Sequence, residues 1–139
     1  MAMTMHLDIV SAEHEIFSGV AEIVVAPAIM GEVGIHARHT PMLTPLKPGE
    51  VHITKPGGKE EYIYVSGGMM EVQPSTVTIL SDTAVRAQDL DEAAAMEAKQ
   101  AAEDAIKDRE GDMEIAEAQS KLLEAVAQLQ MIERFRKRR

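Results

Sequence analysis

Residues 51–65 have the sequence VHITKPGGKEEYIYV, and this stretch decides the class of the fold. Apolar Val51 and Ile53 alternate with polar neighbours before its centre, and Ile63 and Val65 do the same after it. Alternation with a period of two is typical of a β-strand with one buried face. The central Pro-Gly-Gly favours a tight turn, because glycine accepts backbone angles that other residues avoid. The stretch therefore predicts an antiparallel β-hairpin.

Short apolar runs of the same kind occur on both sides of this hairpin. They lie at residues 7–9, 20–26, 69–72 and 76–79, and residues 73–75 (Gln-Pro-Ser) predict a second turn between the last two. The run at 20–26 is longer and more apolar, which indicates one deeply buried strand. Short strands with frequent turn signals are typical of sandwiches and barrels. We expect a β-sandwich of about ten short strands.

The composition changes near residue 88. All six prolines and every glycine except Gly111 come before this point, and alanine and charged residues dominate after it. Proline and glycine are frequent in turns and disfavoured inside helices. The sequence thus predicts an α+β protein, with a β-sandwich over residues 1–88 and a helical unit over residues 89–139.

The second unit is predicted to be an antiparallel hairpin of two helices. Asp89 and Glu92 have the spacing of a capping box for the first helix. Gly111 interrupts the helical pattern, and Asp112 is a candidate cap for the second helix. A connection this short makes the two helices antiparallel neighbours.

Each helix carries a seam, meaning a row of apolar residues expected to face the other helix. The seam residues recur every three or four positions: Ala94, Ala98, Ala101 and Ala105 in the first helix, and Ile115, Ala118, Leu122, Ala125, Leu129 and Ile132 in the second. A fully buried leucine contributes about 1.5–3 kcal/mol and an alanine much less. The first helix is therefore expected to be held weakly, which suits either a movable arm or a static hairpin.

Charge and composition exclude several classes of function. The net charge is −9, which argues against general nucleic-acid binding. The chain has no cysteine, so it has neither a disulfide framework nor a thiolate nucleophile. No run of about 18 apolar residues occurs, and we expect membrane association only through partners. The last six residues nevertheless form a basic tip, whose bases are Arg134, Arg136, Lys137, Arg138 and Arg139.

Candidate sites for chemistry are few. No Ser–His–acid set, pair of catalytic carboxylates or phosphate-binding glycine loop can be assembled from the motifs. His36 and His39 are three residues apart, but Arg38 lies between them and no third ligand is near, so we expect no metal site. His39 is a candidate either for partner contact or for a hydrogen bond to the turn before Pro41. Glu32 lies in a turn bracketed by glycines, where it is either solvated or in contact with a partner.

Several strings occur in an order that resembles a known family. They are MHLDIVSAE at residues 5–13, GEVGI at 31–35, HTPMLT at 39–44, KPG at 47–49, SGG at 66–68 and QDLDEA at 88–93. Together they span essentially the whole chain. In content, order and spacing they resemble the epsilon family of bacterial F-type ATP synthases.

The resemblance implies a rotor subunit of the rotary, proton-translocating enzyme that is not itself catalytic and holds no cofactor. The sandwich is expected to bind the gamma subunit and the c ring, with Glu32 and His39 at the c-ring interface. The helical hairpin is expected to fold back in one state. In another it would extend along gamma towards the alpha and beta subunits and inhibit ATP hydrolysis, with the basic tip near acidic surfaces. The location implied is the cytoplasmic face of the bacterial inner membrane.

Two other functions remain open, a nucleotide-sensing module and a generic adaptor. Some bacterial relatives bind ATP through the motif I/L-D-x-x-R-A, which matches residues 90–95 here. Ala94 occupies the arginine position of this motif, so the guanidinium group that would bind phosphate is missing. Asp91 is the only residual element of that site. We therefore expect little or no ATP binding.

Overall fold

The computed structural model describes residues 3–108 and 112–138, and the chain divides into two compact units, Met1–Arg86 and Ala87–Arg139. The boundary falls two residues before the expected one. Gly111 and Arg139 lie outside the described residues, as does the side chain of Asp112, so the predictions for them have no structural counterpart here.

Eight strands form the first unit within the described residues. Their bounds are β1 Met5–Val10, β2 Glu15–Ala21, β3 Ile23–Ala28, β4 Gly31–His36, β5 Met42–Thr54, β6 Glu60–Val72, β7 Thr76–Leu80 and β8 Ala84–Arg86. Eight is fewer than the expected ten because β5 and β6 each run for 13 residues. Runs that look separate in the sequence, such as 63–65 and 69–72, belong to one strand.

The long strands β5 and β6 take part in both layers of the sandwich. The first half of β6 pairs with β8, and its second half pairs with β7. The change of layer falls at Gly67 and Gly68, whose φ angles are +110° and +122°. The first layer thus runs β2-β1-β7-β6-β5, and the second layer joins β8, β6, β5, β3 and β4. The predicted β-sandwich is confirmed.

Alternation along the strands fills the space between the layers. In β1, for example, Met5, Leu7 and Ile9 are buried, and the residues between them face outward. The run at residues 20–26 was predicted as one strand, which is wrong. It is split at Glu22 between the end of β2 and the start of β3. The local apolar pattern continues across this corner because both flanking strands contribute to the core.

Both predicted β-turns are present. Gly57 and Gly58 join β5 to β6 with φ angles of +89° and +84°, and the Lys55 amide donates to the Lys59 carbonyl at 2.7 Å. Between β6 and β7 the Gln73 amide donates to the Thr76 carbonyl at 2.8 Å. The local turn chemistry therefore fixed both connections, as the sequence indicated.

The last strand of the sandwich is anchored by its final residue. Arg86 forms an ion pair with Glu61 of β6 and donates to the Ile16 carbonyl of β2 at 2.8 Å. Glu61 also pairs with Lys55 at 3.2 Å. Because Arg86 contacts two other strands, β8 is fixed in position up to its last residue.

The helical unit begins with a 3-10 turn at Ala87–Asp89, followed by α1 at Glu92–Asp108 and α2 at Asp112–Lys137. The Ala94 amide donates to Asp91 Oδ1 at 3.2 Å, so Asp91 caps α1. The expectation that Asp89 is the cap is wrong, because Asp89 is taken up in the 3-10 turn. The two helices pack on each other, and the predicted hairpin of helices is confirmed.

Burial in α1 is displaced from the expected seam by one residue. Ala94, Ala98, Ala101 and Ala105 are all exposed, and the buried alanines are Ala95 and Ala102. In α2, by contrast, all six expected positions are buried or half-buried: Ile115, Ala118, Leu122, Ala125, Leu129 and Ile132. The difference arises because α1 has alanine on several faces, so its composition does not select one of them.

Candidate partner-binding surfaces

The outward face of the first layer carries a row of apolar side chains across four strands. Cross-strand pairing places Val10 beside Leu80, Leu80 beside Met69, and Met69 beside Pro45. Leu80 is 54% exposed, and Met69 is also exposed. We call these four residues the apolar row. Contiguous exposed apolar groups are typical of protein interfaces rather than of free surface.

The surroundings of the apolar row extend its apolar character. A shallow groove of about 280 Å³ lies beside it, lined in part by Val10, Met69 and Leu80. On β5, Leu43 is 67% exposed two residues before Pro45. The amino-acid sequence did not reveal this surface. The available signal was that β1 and β7 each have an apolar residue, Val10 and Leu80, at an outward position. Only the parallel pairing of β1 with β7 shows that these two residues are neighbours.

The turn between β3 and β4 projects two further apolar side chains. Ile29 and Met30 are 56% and 97% exposed, although the preceding Ala28 is buried. Gly31, with φ +129°, closes the turn, and the exposed Glu32 follows at the start of β4. The Ile29 amide donates to the Pro45 carbonyl at 3.3 Å, so this turn lies beside one end of the apolar row.

His39 lies three residues beyond the last residue of β4. Its Nδ1 donates to the Thr40 carbonyl at 2.7 Å, which is the bond to the turn before Pro41 that the sequence left open. Glu32 and His36, at the two ends of β4, are about 13 Å apart along an extended strand. Among the described residues, no hydrogen bond or ion pair joins Glu32 to His39, whose ring is bonded to Thr40 instead. A single partner touching both would have to run the length of β4.

A polar cluster of three side chains lies elsewhere on the outward face of the first layer. Ser18 donates to Asp8 Oδ1 at 2.7 Å, and His6 Nε2 lies 3.0 Å from the same oxygen. The pKa of Asp8 lies below its ordinary value of 3.8, mainly because the carboxylate accepts the Ser18 hydrogen bond. Partial burial raises this pKa, and the interaction with His6 lowers it further. Since the serine hydroxyl is committed to the carboxylate, this is not the arrangement of a nucleophile activated by histidine.

The basic tip is partly neutralised within the helical unit. Arg136 forms an ion pair with Glu92, and Lys137 lies 3.4 Å from Glu133 one turn earlier. Arg134 also lies in the last turn of α2, and Arg138 follows that helix. The tip is thus a helix end whose cations already have acidic neighbours at two positions.

Small residues line a groove of about 620 Å³ between α1 and α2. Its floor includes Ala98, Ala101 and Ala105, and its rim carries charged groups of α2 such as Glu117 and Lys121. Glu117 and Lys121 pair with each other at 3.3 Å. Alanines leave this space because their side chains are too short to fill the gap between two helix backbones.

Residues 3–108 and 112–138 were found to contain neither a cluster of metal ligands nor a membrane-spanning helix. No three His, Cys, Asp or Glu side chains within these ranges converge as a metal site. No helix in the same ranges is both long and apolar enough to span a bilayer.

Comparison with known proteins gives matches along almost the whole chain. Residues 4–87 match the family model for the ATP synthase delta/epsilon chain, beta-sandwich domain, and residues 88–133 match the model for its long alpha-helix domain. An ATP synthase epsilon chain 1 from Methylococcus capsulatus is 67% identical over 139 residues, which is 100% of this chain and 99% of that one. An ATP synthase epsilon chain from Nitrosococcus oceani is 62% identical over 138 residues, covering 99% of each chain.

A solved structure supports the fold. The cryo-EM structure of the Euglena gracilis mitochondrial ATP synthase, described as OSCP/F1/c-ring in rotational state 1, contains a chain that matches with a TM-score of 0.70. The match covers 97% of this chain and 81% of that chain at 20% identity, a level that speaks to the fold alone.

Proposed function

The chain belongs to the ATP synthase delta/epsilon chain family, and on this premise we propose that its sandwich docks onto the rotor while its helical hairpin restrains ATP hydrolysis. Membership in this family confirms the prediction, made from the sequence, that the chain is an epsilon subunit of the F-type ATP synthase. The subunit is a non-catalytic part of that complex. In the proposal it lies at the cytoplasmic face of the bacterial inner membrane, held there through the complex.

The apolar row is the observation that carries the docking role of the sandwich. In the proposal it faces the gamma subunit, because a contiguous apolar surface on an outward sheet face gains most from burial in an interface. The turn with Ile29, Met30 and Glu32 faces the c ring, where its apolar side chains and its carboxylate supply mixed contacts. His39, beyond the far end of β4, is proposed to contact the c ring as well. The c-ring contact then extends along the whole of β4.

The docking role is tested by replacing Leu80 with glutamate. L80E places a charge in the centre of the apolar row, and we expect the subunit to lose co-purification with gamma at least tenfold, as for an interface hot spot. The matched control is V20E, because Val20 is also exposed on the first layer but lies outside the row. Equal co-purification of both variants with gamma would refute the assignment of this face.

The inhibitory role rests on the family membership and on the make-up of the helical unit. The buried alanines of α1 contribute little apolar area each, so the hairpin is a weakly stabilised element. A population shift between two states then needs only a small difference in contacts. In the extended state the basic tip is proposed to meet acidic surfaces of the alpha and beta subunits.

Deletion of residues 89–139 tests this role in the whole catalytic complex. We expect faster ATP hydrolysis and retained assembly and ATP synthesis, because the sandwich keeps the rotor contacts. Deletion of residues 134–139 alone should give a smaller increase, which weakens at high salt because exposed charge contacts are screened. Unchanged hydrolysis, in a complex verified to contain the shortened subunit, would mean that the hairpin is only structural.

The nucleotide-sensing alternative is disfavoured by what the motif residues do. The Asp91 carboxylate accepts the Ala94 amide as the cap of α1, and Ala94 offers only a methyl group where a phosphate-binding arginine would stand. We expect calorimetry with ATP to give weak binding or none. A micromolar dissociation constant would restore nucleotide sensing as the leading alternative.

A further inference from the structure

The last turn of α2 is joined to the first turn of α1 by an ion pair. Arg136 Nη2 donates to Glu92 Oε2, although the two residues are 44 positions apart in the chain. Their side chains are 63% and 41% exposed. The contact therefore closes the hairpin at the end opposite to the connection between the helices.

Apolar packing lies directly beneath this ion pair. Ile132 is buried and Phe135 is half-buried, and both face the segment formed by the 3-10 turn and the start of α1. That segment supplies Ala87, Leu90 and Ala93 to the same small cleft of about 450 Å³. The end of α2 and the first residues of the helical unit thus line the same cleft.

The two partners also occupy favourable helix ends. Glu92 is the first residue of α1, where a negative charge complements the helix dipole, and Arg136 lies in the last turn of α2, where a positive charge does so. These dipole interactions persist if the two ends separate. The ion pair and the burial of Phe135 do not, so they are the contacts that distinguish a closed hairpin end from an open one.

We propose that Arg136, Glu92 and Phe135 form a latch that closes the hairpin end and holds one cation of the basic tip in an ion pair that competes with any outside partner. Release of the latch exposes Phe135 and frees Arg136 in the same step. The opening of the hairpin end and the release of Arg136 for an outside partner therefore occur together. The link from the latch to inhibition rests on the proposed function, whereas the latch itself is testable in the isolated full-length chain.

Fluorine NMR observes the latch directly, because the chain has only two phenylalanines. With 4-fluorophenylalanine incorporated, buried Phe17 in the sandwich core is an internal reference and Phe135 reports on the latch. We expect Glu92→Gln to raise the released population about 1.5- to 5-fold, the range for an exposed ion pair. The Phe17 signal should not move. F135L assigns the two signals.

The matched control is Glu97→Gln, the same change of charge at an exposed position of α1. It should leave the Phe135 signal unchanged. Arg136→Gln should shift the signal as Glu92→Gln does, and the double variant should show no further shift, as for two partners of one contact. The latch is refuted if either single variant leaves the Phe135 signal at its wild-type position. It is equally refuted if Glu97→Gln shifts that signal as much as Glu92→Gln, or if the two single effects simply add.

ATPase assays of the whole catalytic complex then separate the latch from the proposed function. Glu92→Gln frees Arg136 without removing a cation, so hydrolysis should fall up to about 5-fold. Arg136→Gln also opens the latch but removes the freed cation, so hydrolysis should not fall as it does in Glu92→Gln. If the NMR shifts appear and neither variant changes hydrolysis, the latch stands and its coupling to the basic tip is refuted. If hydrolysis is also insensitive to deletion of residues 89–139, the proposed inhibition itself has failed.

Discussion

The sandwich and the helical hairpin are built from different kinds of interior. The sandwich buries large side chains completely, Leu7 and Ile79 among them, and they belong to one continuous apolar cluster. The buried residues of α1 are alanines, Ala95 and Ala102. A buried leucine or isoleucine contributes about 1.5–3 kcal/mol, several times the contribution of an alanine methyl group. One chain thus joins a strongly specified unit to a weakly held one.

This difference matches the two roles that we propose. A docking unit has to present the apolar row in a fixed geometry, which requires an interior that does not rearrange. An inhibitory arm has to change state on small differences in contact energy, which requires few large buried groups of its own.

Gly68→Ala should disrupt the sandwich most severely. A Cβ atom at this position would lie 1.9 Å from the Leu80 carbonyl oxygen, and φ there is +122°. Strained backbone and steric overlap together should lower the free energy of unfolding by about 4 kcal/mol or more, measured by urea denaturation. Gly34→Ala is the control, because a Cβ there meets nothing within 4 Å. Similar stability of the two variants would show that the strand does not need its glycine at the change of layer.

Core truncations should differ in cost between the two units. Leu7→Ala removes a fully buried side chain and should lower the free energy of unfolding of the sandwich by about 2–5 kcal/mol. Ala102→Gly in α1 should lower helix stability by about 1 kcal/mol, mainly through backbone entropy. Hydrogen exchange followed separately in strands and helices measures both. A larger loss of protection from Ala102→Gly would reverse the contrast.

The sequence predicted the sandwich well where structure is local. The alternation of residues 51–65 and the glycines at 57 and 58 identify a hairpin without any knowledge of distant residues. The apolar row escaped prediction because it depends on β1 lying parallel to β7, and their paired residues are about 70 positions apart. A register between distant strands leaves no local signal.

The sequence predicted the helical unit less accurately in detail. Alanine occurs on several faces of α1, so a spacing of three and four fits more than one stripe, and the expected stripe was displaced by one residue. In α2 the leucines and isoleucines mark one face, and the expected positions agree with the observed burial. The ion pair of Arg136 with Glu92 was also missed, because both residues look like ordinary charges of an exposed helix surface.

The cap of α1 provides a test of the start of the helical unit. Asp91→Ala removes the carboxylate that accepts the Ala94 amide, and should destabilise α1 by about 1 kcal/mol. Asp89→Ala should have a smaller effect, because Asp89 lies in the preceding 3-10 turn. Amide exchange in the first turn of α1 distinguishes the two variants. A larger effect at Asp89 would favour the capping box that the sequence suggested.

The smallest expected effect concerns the exposed surface of the sandwich, where Asp8 accepts hydrogen bonds from Ser18 and His6. The pKa of Asp8 is lowered in the folded chain, chiefly by the Ser18 hydrogen bond, so folding favours the ionised form. The stabilisation is fully present well above the ordinary pKa of 3.8 and is lost as the pH falls through the lower folded value.

Asp8→Asn should therefore reduce the free energy of unfolding by about 0.5 kcal/mol or less at pH 7, since the group is partly solvated and screened. The deficit should shrink steadily as the pH is lowered below 3.8. Urea midpoints across this range measure the trend, with Asp82→Asn as a control at another exposed acid of the sandwich. A deficit that is constant with pH would show that Asp8 acts through shape rather than charge, because the ionised carboxylate gains more from the serine and histidine donors than a neutral group does.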